Sequence, residues 1–222
     1  MNGSLVRHMI AKDFRLHREL IIISTVVGFI GLAVVQFRGL TGLFGIIGFF
    51  TTLIVLACIL PQASVVMDRK GQHLTFLMSL PISATQYTTA KMLSALGMFL
   101  IPWLTLVIGA LSIILGSDIP DGLIPIALVL ITLPLVGFCL MTSVALVGES
   151  EGWTVGVMIA INFAYSLCWP LIARNNELRS GFGSSTPVWS PTILTLLGSE
   201  FAVIAAALAI TYYLQSRKRD FV

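Results

Sequence analysis

Residues 68–91, DRKGQHLTFLMSLPISATQYTTAK, form the one long polar-flanked interruption between otherwise membrane-ready runs, and the stretch is patterned. Read as a helix from Gln72 to Leu80, it sets Gln72, Thr75 and Ser79 on a narrow polar stripe. Leu74, Phe76, Leu77, Met78 and Leu80 cover the rest of the surface, so such a helix lies flat on something apolar. Gly71 lets the chain turn after Asp68, Arg69 and Lys70. Pro81 ends the helix, because proline lacks the amide and disfavours a helical residue before it.

On either side the chain is apolar. It is 57% hydrophobic and only 10% charged, with a mean hydropathy of +0.98, where a soluble domain carries roughly 25% charged residues. A bilayer core about 30 Å thick needs roughly 20 helical residues. Runs of about that length cover 20–36, 40–66, 92–115, 123–147, 153–172 and 193–214. The expected fold is therefore an all-α membrane protein, a single transmembrane domain of six helices over residues 1–222. Before the first run, residues 5–19 alternate Arg7, His8, Lys12, Arg15 and Arg18 with Val6, Met9, Ile10, Phe14 and Leu16, which suits a helix in the headgroup plane. A signal peptide over 1–36 competes with this reading. The long charged lead, and the odd number of spans its loss would leave, count against it.

Lys and Arg in the connections predict the orientation. The N-terminal tail has Arg7, Lys12, Arg15 and Arg18, the 68–91 stretch has Arg69, Lys70 and Lys91, and the C-terminal tail has Arg217, Lys218 and Arg219, which makes ten. The opposite side has Arg38, Arg174 and Arg179, so both termini and the patterned stretch are expected in the cytoplasm. The net charge of +3 is spread over the ends of apolar runs rather than gathered in a patch, which argues against nucleic-acid binding. The segment 173–192, with Pro187, Trp189 and Pro191, reads either as a solvated loop anchored by Trp189 or as a short helical dip closing a pathway.

No catalytic constellation emerges. Cys58, Cys139 and Cys168 lie inside apolar runs without metal-site spacing, and His8, His17 and His73 fall outside the spans, so no metal is expected. Gly-Lys occurs nowhere, which leaves the chain without a phosphate-cradling loop and places any nucleotide in a partner. Of the acidic residues only Glu200 falls within a run, near its start, as an interfacial group or part of a proton relay. Asn162, with Tyr165 and Ser166, either bonds across helices or lines a pathway. Gly42, Gly45 and Gly48 form a winding small-residue stripe, suited to helix packing within the chain or to a subunit interface. Pro102 and Pro170 fall inside runs and free backbone carbonyls there. Glu149 and Glu151 form a short acidic turn that is either merely solvated or meets a basic partner surface.

At the patterned stretch the sequence resembles the ABC-2-type exporter permeases, the membrane subunits of ATP-driven transporters. The residues that carry the likeness are Arg69-Lys70-Gly71, the segment Leu74 to Ser83 with its Leu80-Pro81 ending, Gln86-Tyr87 and Lys91. Asp68 stands where an acidic residue is common, and His73 replaces a small polar residue. The resemblance covers about 24 residues closely, and elsewhere rests on span count and the basic N-terminal lead. It implies that Gln72–Leu80, clamped by Gly71 and Pro81, is a coupling helix docking on a cytoplasmic ATPase, with the Glu149–Glu151 turn as a second contact. It also implies two ATP-binding cassette subunits carrying ATP and Mg, a second permease, identical or related, and residence in a bacterial inner membrane. The expected cargo is hydrophobic or amphipathic: a peptide, drug or lipid. The rival expectations are an ion-coupled secondary transporter using Asn162 or Glu200, and a non-transporting scaffold or immunity protein.

Overall fold

A computed structural model of the chain describes residues 3–37, 39–67, 84–117, 119–148 and 150–217. Among these every regular element is helical. In chain order they are α1 (Gly3–Val35), α2 (Leu40–Pro61) with a π-helical turn (Gln62–Val66), α3 (Ala84–Gly116), a 3-10 turn (Asp121–Leu123), α4 (Ile124–Val147), α5 (Glu151–Arg174), the short α6 (Asn176–Ser180) and α7 (Pro191–Arg217). Six of them, all but α6, are long and apolar enough to cross a membrane. The runs from 40, 123, 153 and 193 coincide with helices to within three residues, while α3 begins at Ala84, eight residues before the run expected from 92.

The first helix departs from expectation. Residues 5–19 and 20–36 were expected as an interfacial helix and a separate span, but Gly3–Val35 is one continuous helix. The reason is local: no Gly or Pro interrupts the chain between Ser4 and Val27, so nothing breaks the ladder of backbone bonds at residue 19. Pro102 and Pro170 likewise lie within uninterrupted α3 and α5.

Helix α4 is the hub. It is apolar all round, as a helix enclosed by others must be, and it packs against α2, α3, α5 and α7. Its most apolar window is 56% buried, against 12% for α5, which packs chiefly on α4 and so stands at the rim. The centre joins Leu56, Ala57 and Leu60 of α2, Ala95, Met98 and Phe99 of α3, and Leu135, Phe138 and Cys139 of α4. Phe99 and Phe138 stack there with ring centroids 4.4 Å apart. A second cluster, with Leu32, Phe49, Leu53, Leu106 and Ile131, continues it toward the α1–α2 turn, and Trp103 Nε1 donates to the Ile131 carbonyl oxygen at 2.9 Å.

Glycine sets the closest approach, between α1 and α2. A Cβ on Gly45 would lie 2.5 Å from Val35 N and 2.8 Å from Gly31 O, and one on Gly31 would lie 2.9 Å from Phe49 N. Only hydrogen fits between these backbones. Gly39 makes the turn between the two helices at a φ of 79°, which an L side chain rarely adopts. Gly42 also abuts α1 and its turn, at the Phe37 and Val35 carbonyls, whereas a Cβ on Gly48 would meet nothing. The stripe thus divides: Gly42 and Gly45 serve packing within the chain, and Gly48 faces open space.

The segment after α5 folds back over the bundle. Asn175 Oδ1 accepts from the Glu177 and Leu178 amides, at 2.9 and 3.4 Å, and caps α6. Leu178 joins Ile126, Val129, Ile172 and Ile193 in an apolar cluster under this turn. Gly122 N donates to Ser184 O at 3.0 Å, and Glu177 bonds Thr192, so the segment is tied to the starts of both α4 and α7.

Candidate functional site

Residues 68–83 lie outside those described, and with them Gly71, Gln72, His73, Leu74, Thr75, Phe76, Leu77, Met78, Ser79, Leu80 and Pro81, all expected at an ATPase contact. Glu149 lies outside as well. Glu151 opens α5 and is exposed.

The three polar residues expected to converge on α5 do not form one cluster. Asn162 is exposed, and its Nδ2 donates to the Met158 carbonyl one turn back at 2.8 Å and weakly to Cys58 Sγ of α2 at 3.6 Å. Ser166 is exposed too and donates to the Phe163 carbonyl at 2.7 Å. Only Tyr165 crosses to the hub, where its hydroxyl donates to the Leu133 carbonyl of α4 at 2.9 Å. Gly137 makes that reach possible, because a Cβ there would overlap the Tyr165 hydroxyl. Helix α4 therefore has glycine at 137 for the same reason α2 has it at 45: a neighbour occupies the space.

Tyr165 also borders a cavity of about 700 Å³ lined by α1, α2, α3, α4 and α5, with Phe182 of the segment after α6 at its edge. Its wall is almost wholly aliphatic and aromatic, with Ile46, Ile47, Phe50 and Ile54 from α2, Leu130 and Pro134 from α4, and Phe182 over the end. Among the described residues, Thr51, Tyr165 and Cys168 supply the side-chain polar atoms of the lining. A cavity of this size and lining fits a drug-sized apolar or amphipathic molecule, with few groups to orient it.

Two acidic residues are buried among the described residues, and one of them carries a constellation that the sequence reading missed. Lys91 Nζ of α3 donates to both carboxylate oxygens of Asp13 of α1, at 3.0 and 2.9 Å, and Ser94 Oγ donates to Asp13 Oδ2 at 3.0 Å. The paired side chains are only 3% and 4% exposed, so the ions are enclosed by protein and their bonds are charge-assisted. The signal was present but faint. At helical spacing Asp13 shares a face with His17, Leu20, Ser24, Gly28 and Gly31, the side of α1 that packs inward, whereas Lys91 reads as an orienting charge and as the lysine closing the family pattern, neither of which names a partner for it.

The other buried acid is Glu200 of α7. Expected near the start of its span, it lies nine residues past Pro191, about 14 Å along the helix axis. It is 7% exposed, and its Oε2 has no hydrogen-bond partner among the described residues. Along α7 it falls between Ile193, in the cluster with Ile126 and Val129, and Ala207, whose carbonyl accepts from Ser143 Oγ at 3.2 Å. That register puts Glu200 opposite the middle of α4. The three cysteines are free thiols, and no group of three His, Cys, Asp or Glu side chains gathers among the described residues.

No family model, curated protein or solved structure matches the chain. What its fold and composition define is the class: an all-helical, multi-pass membrane protein with six apolar helices of spanning length.

Proposed function

We propose that the chain is the permease subunit of an ATP-driven exporter of the ABC-2 type, moving a hydrophobic or amphipathic substrate. The single observation that carries this reading is the pattern of residues 68–91, a basic pair and glycine, an amphipathic nonamer closed by Pro81, and a lysine opening the next span. The rest of the molecule is compatible with it. An apolar cavity of about 700 Å³ suits such a substrate. Lys91, at the close of the pattern, is bonded to Asp13, so a push received by residues 72–80 enters α3 and α1 together. In this reading the energy comes from two ATP-binding cassette subunits that hold ATP and Mg, the substrate path involves a second permease, and both termini face the cytoplasm of a bacterium.

Leu77→Asp puts a charge on the apolar face of the proposed coupling helix. Co-purification with the ATPase and ATP-driven transport should both be lost while membrane insertion is unchanged; undiminished transport sinks the reading. The topology is checked separately: a cysteine at Ser216 should be shielded from an impermeant reagent added outside, and one at Ser184 should react. A second reading, an ion-coupled carrier, is favoured by one observation, the buried carboxyl of Glu200 within α7. Transport in vesicles driven by an ion gradient, with no ATPase present, decides for it.

A further inference from the structure

Glu200 occupies a core position. On α7 it shares the inward face with Ile193, Ile204, Leu208, Thr211 and Gln215. Ile193 belongs to the cluster with Ile126 and Val129 of α4, and Ile204 and Leu208 pack against the central cluster around Phe138, so the acid stands between two apolar layers. The polar groups further along this face have partners: Thr211 Oγ1 donates to the Ala207 carbonyl at 2.7 Å, and Gln215 Nε2 to that of Leu146 at 2.6 Å. Glu200 Oε2 meets no donor among the described residues.

The helices packed against α7 are α4, α3 and α6. Residues 124–147 of α4 contain no Lys, Arg, His, Asp or Glu, and Cys139 is their one titratable side chain. Helix α3 brings Tyr87 and Lys91, both at its start, and Lys91 is bonded to Asp13. Helix α6 brings Glu177, which bonds Thr192, and Arg179, whose side chain lies outside those described. On the far side of α4, Tyr165 donates to the Leu133 carbonyl and Cys168 to that of Ala164, so both donors are engaged elsewhere. An ionised carboxyl enclosed in this way is costly, and a proton removes the charge without needing any further partner. A hard metal ion would need several oxygen ligands, and no group of three His, Cys, Asp or Glu gathers among the described residues.

We propose that Glu200 is a proton-binding site: with α7 seated on α4 its carboxyl holds a proton at neutral pH, and it gives the proton up when water reaches that face. In the release the carboxyl O–H bond breaks, its electron pair stays on the carboxylate oxygen, and water takes the proton. The inference rests on the ion-coupled reading for its meaning in transport, to which it supplies the ion, but not for its test.

The test is infrared difference spectroscopy of the full-length chain in phosphatidylcholine vesicles, wild type against Glu200→Gln. A protonated carboxyl has a C=O stretch above the amide bands that moves down in heavy water. Acids open to water are ionised at neutral pH and give no such band. The wild type should show the band at neutral pH, Glu200→Gln should lose it, and Glu200→Asp, which keeps an acid on the face, should retain one. Raising the pH should convert it reversibly to carboxylate stretches. Carboxylate stretches already present at neutral pH, in place of the acid band, overturn the proposal; an acid band that then emerges in Arg179→Gln names Arg179 as the counter-ion. Conversion of the acid band by Na⁺ at constant neutral pH also overturns it, and assigns the carboxyl to an inorganic cation. No ATPase or gradient is present, so failure here leaves the permease reading to the Leu77→Asp test and the ion-coupled reading to the vesicle assay.

Discussion

Among the described residues two carboxylates are buried, and they are surrounded in opposite ways. Asp13 receives two bonds from an ammonium and one from a hydroxyl, and its side chain is as enclosed as that of its partner. Glu200 is nearly as buried, yet one of its oxygens faces no donor among the described residues. A buried ion that is bonded within the chain contributes geometry: Asp13 and Lys91 hold α1 and α3 side by side, across 78 residues of sequence. A buried acid with an open valence contributes something else, because none of the described residues supplies its missing partner and a proton can take that place. The difference separates a structural joint from an acid that no bond among the described residues holds.

The sharpest way to break this comparison is to remove half of the joint. Asp13→Ala leaves the Lys91 ammonium buried without its counter-ion, and stability should fall by about 3–5 kcal/mol, read as the loss of unfolding free energy in a denaturant titration of the purified protein. Lys91→Ala should cost a similar amount from the other side. The apolar pair Asp13→Leu with Lys91→Met removes both charges at once and should recover most of the loss, since two well-packed apolar groups can replace a buried ion pair nearly neutrally. If either single replacement is silent, the pair is not enclosed and the contrast with Glu200 disappears. If the apolar pair is stable but no longer supports transport, the joint passes force as well as holding position.

A smaller effect tests the contact of Tyr165 with α4. Gly137→Ala places a methyl group where the Tyr165 hydroxyl lies, so the ring must withdraw and its bond to the Leu133 carbonyl is lost. The expected cost is about 1–3 kcal/mol, the range for overpacking a tight site. Tyr165→Phe gives up the hydroxyl without the clash and should cost nearer 1 kcal/mol. A double variant separates the two contributions: with phenylalanine at 165, the alanine at 137 should cost less than it does alone, because the atom it struck is gone. Strict additivity would mean that Tyr165 does not occupy the space above Gly137.

Much of this architecture could be read in advance, because membrane helices announce themselves by length and apolarity alone. Four of the apolar runs coincide with helices to within three residues, the π-helical turn included with α2. The misreading of α1 came from treating the charges of residues 5–19 as a statement about backbone shape, when nothing there ends a helix. The Asp13–Lys91 joint was hidden for a different reason. Each residue, taken alone, resembles an ordinary charge at the end of a run, and only the packing of α1 against α3 brings them together. The glycines were legible as a close-contact stripe but not as to its partner, since a spacing of three gives a face and never says what covers it. Glu200 was singled out by composition, as the one acid inside a run, but its depth and its empty valence depend on the register of α7 against α4.

The smallest expected effect is also the most discriminating. Glu200→Gln replaces an acid that has an unpartnered oxygen with an amide of nearly the same shape, and no hydrogen bond among the described residues is broken by it. Stability in the absence of ligand should therefore change by less than about 1 kcal/mol, with any shift toward greater stability, because a buried polar group without a partner costs the folded state and the amide is never ionised. The measurement is the same denaturant titration used for Asp13, on protein of the same preparation. A loss comparable to that of Asp13→Ala would mean that Glu200 has a strong partner within the chain, and that the two acids are alike after all. A neutral result would separate the two, one acid holding helices through its bonds and the other holding none among the described residues.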